Sequence, residues 1–342
     1  MTAIFIGLFL GLLVAEVALI GFLEIAHANN SLVVSDPVLH HVHPSNHAFT
    51  YADPDKGRSH SHKLRFDENG LLVNPNWSGD VNASNVDRRV AFMGDSFLES
   101  FQTPYSESFF GILENSAGEG VTVKNYGCSS YSPVLYFLQW KTQVTRFKPT
   151  HVFLLLYAND PRDDLRYFSQ AVFDHENEIT AVPGLWNSWR KIQLTKYYLQ
   201  RIFQAVSLSV ERMTKKCASG ARPLLGGGFS EENPDISPLS GTYVLKLAKE
   251  VQASGARLTL MVVPSRCRLE GDCCDMSSPE FSDKWKNWAE RHSVDFLDLV
   301  GPFQEAARDG TRLFMKRDIH FNSLGHLVIA RTLQESHPEL FK

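Results

Sequence analysis

The stretch Arg88-Arg89-Val90-Ala91-Phe92-Met93-Gly94-Asp95-Ser96-Phe97-Leu98-Glu99 decides how this chain is read. An apolar run over 90–93 stops abruptly at Gly94-Asp95-Ser96. A buried strand reads this way when it delivers a serine to the top of a sheet. Glycine permits a tight turn there, and the hydroxyl faces solvent rather than core. Gly-Asp-Ser also occurs in ordinary turns, so the triplet takes its meaning from the rest of the chain.

Beyond it, strand-like runs alternate with helical ones. Strands are expected at 121–126, 151–156, 258–263 and 294–297. Helices are expected at 107–115, 133–147, 243–252, 284–291 and 323–335, the last capped by Asn322. Five buried-type strands separated by helices predict an α/β fold with a parallel sheet covered on both faces. Residues 161–238 break the rhythm. They include an aromatic, basic stretch (Trp186, Trp189, Tyr197, Tyr198, Phe203) and a Gly226-Gly227-Gly228 loop. No Gly-Lys-Ser/Thr follows those glycines, so the loop reads as a linker rather than a phosphate cradle. The region is expected to be an insertion on the sheet's active edge, a candidate lid.

The N-terminal side divides in two. Residues 2–23 form an apolar run broken only by Glu16, long enough to cross a bilayer, for which about 20 residues suffice. No Lys or Arg precedes it, and it is long for a signal peptide. Residues 1–28 are therefore expected to be a retained membrane anchor, with cleavage after Ala26-His27-Ala28 as the alternative. Residues 29–87 are rich in turn formers, with strand-like pieces at 63–66 and 71–73, and read as an irregular extension with a hairpin or two. They hold His40, His41, His43, His47, His60 and His62. No cysteine or carboxylate stands beside these at a ligand spacing, so they are read as solvated or supporting, and no metal is expected. Residues 88–342 are the main domain.

The net charge of −4 and the lack of a basic stripe argue against nucleic acid as a partner. Of five cysteines, Cys267, Cys273 and Cys274 lie close enough in sequence for a small disulfide loop, which suits an oxidising compartment. Anchor and cysteines together place the main domain outside the cytoplasm, periplasmic or extracellular.

Three expected strand ends carry polar residues: Asp95-Ser96, then Asn125-Tyr126-Gly127, then Asn159-Asp160. Asp318-Ile319-His320 precedes the last helix. In an open parallel sheet, ligands bind beyond the carboxyl ends of the strands. A serine, a backbone N–H at a glycine, an asparagine amide and an Asp/His pair are the parts of nucleophilic acyl transfer. The histidine activates the hydroxyl, the carboxylate orients the histidine, and the donors hold the oxyanion. His326 competes with His320 as base but lies inside the helix.

These four blocks, in this order, resemble the SGNH (GDSL-type) hydrolases from about Arg88 to the C-terminus. The resemblance implies a flavodoxin-like α/β/α sandwich and ester hydrolysis or acyl transfer without a cofactor. It implies Ser96 as nucleophile, His320 as base, and Ser96, Gly127 and Asn159 as the oxyanion hole. The sequence departs from the pattern twice. Tyr157 stands where the third block usually has glycine, and Arg317 where the last block usually has its aspartate. Asp318 takes over that role, in an Asp-x-His arrangement similar to alginate-acetyltransferase-like members. The expected substrate is a small or carbohydrate-linked acyl ester. An O-acyltransferase acting on envelope polysaccharide is one alternative. A catalytically weak envelope scaffold and a lipase-like enzyme lidded by the aromatic insertion are others.

Overall fold

The computed structural model describes residues 32–76, 87–118, 120–184, 236–270 and 280–341. The apolar run at 2–23, residues 185–235 of the insertion expected at 161–238, and the cysteines 273 and 274 lie outside these residues. Among the described residues, no helix is long and apolar enough to cross a membrane.

Before reaching the Gly-Asp-Ser turn, the chain builds two small antiparallel sheets. Strands β1 (Val34–Asp36) and β2 (His40–Val42) form a hairpin. Strands β3 (Ala48–Asp53), β4 (Gly57–Phe66) and β5 (Leu72–Val73) form a three-stranded sheet. Leu64, Phe66, Leu71 and Leu72 are buried. So the stretch expected to be irregular has an apolar side that packs.

Five parallel strands follow: β6 (Arg88–Met93), β7 (Val121–Asn125), β8 (His151–Leu156), β11 (Arg257–Val262) and β12 (Asp295–Leu297). A short hairpin of β9 (Val172–Phe173) and β10 (Ile179–Ala181) lies between the third and fourth. The spatial order is β12-β11-β8-β6-β7. Renumbered within the sheet, this is 2-1-3-4-5, the flavodoxin-like order. Its direction reverses between β6 and β8, and that reversal is where such sheets bind ligands. Ser96 follows the first of these strands and Asn159 the second.

Helices cover both faces, because the central strands are apolar on both sides. Helix α1 (Ser96–Glu99) is a single turn, followed by α2 (Phe109–Ser116). Helix α3 (Pro133–Gln139) runs through a π-helical turn at Trp140–Val144 into α4 (Thr145–Phe147). Helix α5 (Asp160–Phe168), α6 (Pro238–Ala253), α7 (Arg266–Glu270), α8 (Phe281–His292), α9 (Val300–Ala306), α10 (Ser323–Ser336) and α11 (Pro338–Phe341) complete the chain. Ala91, Met93, Val152 and Leu154 share one core with residues of α3, α6 and α8, such as Tyr136, Tyr243 and Trp285. Phe92 points the other way, stacking on Phe153 at 5.0 Å and meeting Phe109 of α2 edge-on at 5.2 Å. Asn322 caps α10 by accepting from the Leu324 and Gly325 amides.

Candidate active site

Ser96 opens α1, immediately beyond β6. Asp95 caps the turn: its Oδ1 accepts from the Phe97 amide at 3.0 Å. Gly94 does not adopt a left-handed conformation. It is glycine because a Cβ there would meet Leu98 Cδ1 at 2.5 Å and the Leu155 carbonyl oxygen at 3.0 Å. The expected role of a turn residue is thus replaced by close packing of α1 on β8.

His320 reaches Ser96 from the loop before α10. Its Nε2 lies 2.7 Å from Ser96 Oγ, within reach for proton transfer. On the far side of the ring, Nδ1 bonds Asp318 Oδ1, which also accepts from the His320 backbone amide at 3.0 Å. Partial burial raises the Asp318 carboxyl, but hydrogen bonds to His320 and its charge outweigh this and hold it below the usual carboxylate range. Ser96, His320 and Asp318 are therefore brought together in one hydrogen-bonded chain, the geometry that a nucleophile, a base and an orienting acid require. Arg317, at the family's usual acid position, is turned to another use. Its backbone amide and that of Lys316 donate to the two oxygens of Asp55, at 2.8 and 2.7 Å.

Two neighbours were not legible in the motifs. Gln102 Nε2 lies 2.9 Å from His320 Nδ1 and also bonds the Asp318 carboxylate. The ring of Phe97 packs against His320 at 4.7 Å and against Tyr157 at 4.5 Å. Tyr157 is buried, so this substitution for glycine fills space beneath the base. His326 is buried against Phe109, its Nδ1 without a partner among the described residues. Burial, reinforced by His320, pushes it down to about 3, which keeps it neutral. It is a core histidine.

The oxyanion donors are placed unequally. Ser96 is the first residue of its helix, where backbone N–H groups have no intrahelical partner. Asn159 follows β8; its Nδ2 donates one hydrogen to Asp163 Oδ2 at 2.8 Å, leaving the other. The Gly127 amide instead donates to Asn125 Oδ1 at 2.9 Å, while Asn125 Nδ2 donates to the Leu98 carbonyl. In this conformation Asn125 occupies the Gly127 N–H, contrary to the expectation that it is a free donor. A Cβ on Gly127 would meet Leu98 Cβ at 2.5 Å and the Glu99 nitrogen at 2.9 Å. The Cys128 amide also bonds the Gly94 carbonyl at 3.1 Å, so this loop is tied directly to the nucleophile turn. Asp160 is a strut: fully buried, it accepts from the Tyr157 amide at 3.1 Å.

Residues 235–340, which carry Asp318 and His320, match a family model described as SGNH hydrolase-like domain, acetyltransferase AlgX. Over that stretch the chain is similar to SGNH hydrolase-like domains. A curated relative, the probable alginate O-acetylase AlgJ of Pseudomonas fluorescens, is 26% identical over 120 residues, covering 32% of this chain and 30% of that protein. The chain thus matches under a third of that relative's length. Solved structures overlap this chain loosely. A G-D-S-L family lipolytic protein from Veillonella parvula is 16% identical, with a TM-score of 0.42 over 74% of this chain and 100% of its own. A catalytic mutant of the acetylxylan esterase Axe2 from Geobacillus stearothermophilus is 18% identical, with a TM-score of 0.43 over 73% and 94%.

Proposed function

We propose that this protein transfers acetyl groups between carbohydrate esters through an acyl-enzyme on Ser96. The observation that carries this reading is His320, bonded through Nε2 to Ser96 Oγ and through Nδ1 to Asp318. Ser96 Oγ attacks the ester carbonyl while His320 Nε2 takes its proton. Asp318 keeps the ring in the productive tautomer and steadies the imidazolium. The carbonyl oxygen, now anionic, is received by the Ser96 amide and the free hydrogen of Asn159 Nδ2. The Gly127 amide joins them only if the oxyanion displaces Asn125 Oδ1. Collapse expels the alcohol, protonated by His320, and leaves acetyl-Ser96. A second hydroxyl then repeats the steps in reverse. If it belongs to a sugar the outcome is O-acetylation; if it is water, ester hydrolysis. No step requires a metal or organic cofactor.

The sequence favours hydrolysis as readily as transfer. The match to acetyltransferase and alginate O-acetylase relatives favours transfer to a polysaccharide, and with it a site of action in the cell envelope. The test uses the purified chain with an aryl acetate donor, with and without a uronic-acid polysaccharide acceptor. Release of aryl alcohol by the wild type but not by Ser96→Ala supports the serine mechanism, and acetate appearing on the polysaccharide supports transfer. An unchanged rate in Ser96→Ala would sink both.

A further inference from the structure

Behind the oxyanion loop, three metal-binding side chains from three separate segments converge. His43 lies just past β2, Glu99 is the last residue of α1, and Cys128 follows Gly127. One ligand atom from each lies within 4.8 Å of the other two. All three side chains are buried. His43 Nε2 is 3.2 Å from Glu99 Oε1.

The donor set is an imidazole nitrogen, a thiol sulfur and a carboxylate oxygen, the combination that suits zinc. With metal–ligand bonds of about 2.0–2.3 Å, tetrahedral ligands stand roughly 3.2–3.8 Å apart, so closing the triangle takes small side-chain shifts. The charge also balances: a thiolate and a carboxylate side by side in a dry site are neutralised by one divalent cation. Supporting contacts for all three ligands are in place. The His43 ring is stacked flat on Phe66, centroids 4.3 Å apart. Glu99 is held by the Ser129 amide and hydroxyl. His41 bonds Cys128 as well as the Ser129 carbonyl. Such outer contacts fix ligand geometry in metal sites. A small cavity adjoining His43 and Cys128 has a volume of about 20 Å³, enough for one water as a fourth ligand.

We propose that His43, Glu99 and Cys128 form a binding site for a thiophilic divalent cation of the zinc class, which clamps the oxyanion loop to the nucleophile helix and to the N-terminal hairpin. Its role is structural, because the three side chains are buried and none of them meets Ser96 or His320 through a described bond. Binding displaces the thiol proton, together with any proton on His43, to solvent.

The full chain is treated with chelator, desalted, offered excess zinc and desalted again, and its metal content is measured. Stoichiometric zinc in the wild type, lost in Cys128→Ser and in His43→Gln, is the expected result. Cobalt(II) offered in place of zinc gives a thiolate-to-metal charge-transfer band that Cys128→Ser lacks. If those variants do not fold, a variant carrying Cys217→Ser, Cys267→Ser, Cys273→Ser and Cys274→Ser decides: its cobalt band must persist, and its loss overturns the proposal. A folded, chelator-treated wild type that retains neither zinc nor cobalt overturns the proposal and leaves the cluster as a hydrogen-bonded network. None of these readouts depends on acetyl transfer.

Discussion

Asp318 holds His320 twice, through the ring at Nδ1 and through the backbone amide of the same residue. A two-residue spacing allows this, because the carboxylate folds back as an Asx turn onto the residue it orients. Loss of the charge should remove tautomer control while leaving the loop in place. Asp318→Asn is expected to lower kcat by about 10²- to 10⁴-fold with little change in KM. Steady-state aryl acetate kinetics check this, and a near-wild-type kcat would mean the site works without this acid.

Two histidines within six residues have opposite fates. His320→Ala should abolish turnover. His326→Phe should preserve turnover and hold stability within about 1 kcal/mol of wild type or above it, since it keeps the stack on Phe109 and removes a buried nitrogen without a partner. Thermal melts alongside kinetics read both. Loss of turnover in His326→Phe with an unchanged melting temperature would contradict the assignment.

Gly127 has backbone and side-chain atoms of α1 where its Cβ would go. Gly127→Ala should destabilise the fold by about 1–3 kcal/mol and lower kcat, because the oxyanion loop must move off the nucleophile helix. Denaturant titration gives the first and aryl acetate turnover the second.

Asp95 gives the protein a pH dependence. Burial pushes its carboxyl from 3.8 up to about 7, against the pull of the Phe97 hydrogen bond. An acid raised on folding stabilises the native state while protonated. That contribution is complete below 3.8 and is lost as pH rises through about 7. Asp164, which burial raises to about 6, acts in the same direction. The wild type should lose melting temperature between about pH 4 and pH 7 from these two groups, and Asp95→Asn, which keeps the cap, should lose less. Parallel curves for the two proteins would assign the loss elsewhere.

Asp55 clips the backbone of Lys316 and Arg317, just before the catalytic Asp318. Asp55→Ala should slow turnover by roughly tenfold through a looser His320, since small misplacements of catalytic groups are costly. Serine labelling by a fluorophosphonate, slower than in the wild type while the fold is retained, is the readout.

The parallel sheet and the four sequence blocks that meet at its edge are readable because each block sits at a strand or helix boundary, where the hydrophobic pattern ends in polar residues. Ser96, Asn159, Asp318 and His320 carry that local signal. Gly127 was found by the same rule, but not the Asn125 side chain that occupies its amide, because a side-chain turn leaves no periodic trace. Gln102, Asp55 and the His43–Glu99–Cys128 cluster escaped for a different reason. Their partners lie tens to hundreds of residues away, and no spacing along the chain records such contacts. His43 looked isolated only because Glu99 and Cys128 lie beyond β6 in the sequence.

The N-terminal strands grip the site at separate points: Asp55 on the loop before Asp318, His62 on the Phe101 carbonyl at 2.8 Å, and His41 on the Ser129 carbonyl at 2.7 Å. A fragment beginning at Arg88 would keep Ser96, Asn159, Asp318 and His320 and lose these three braces. Such a fragment is expected to turn over more slowly than one that begins ahead of His41.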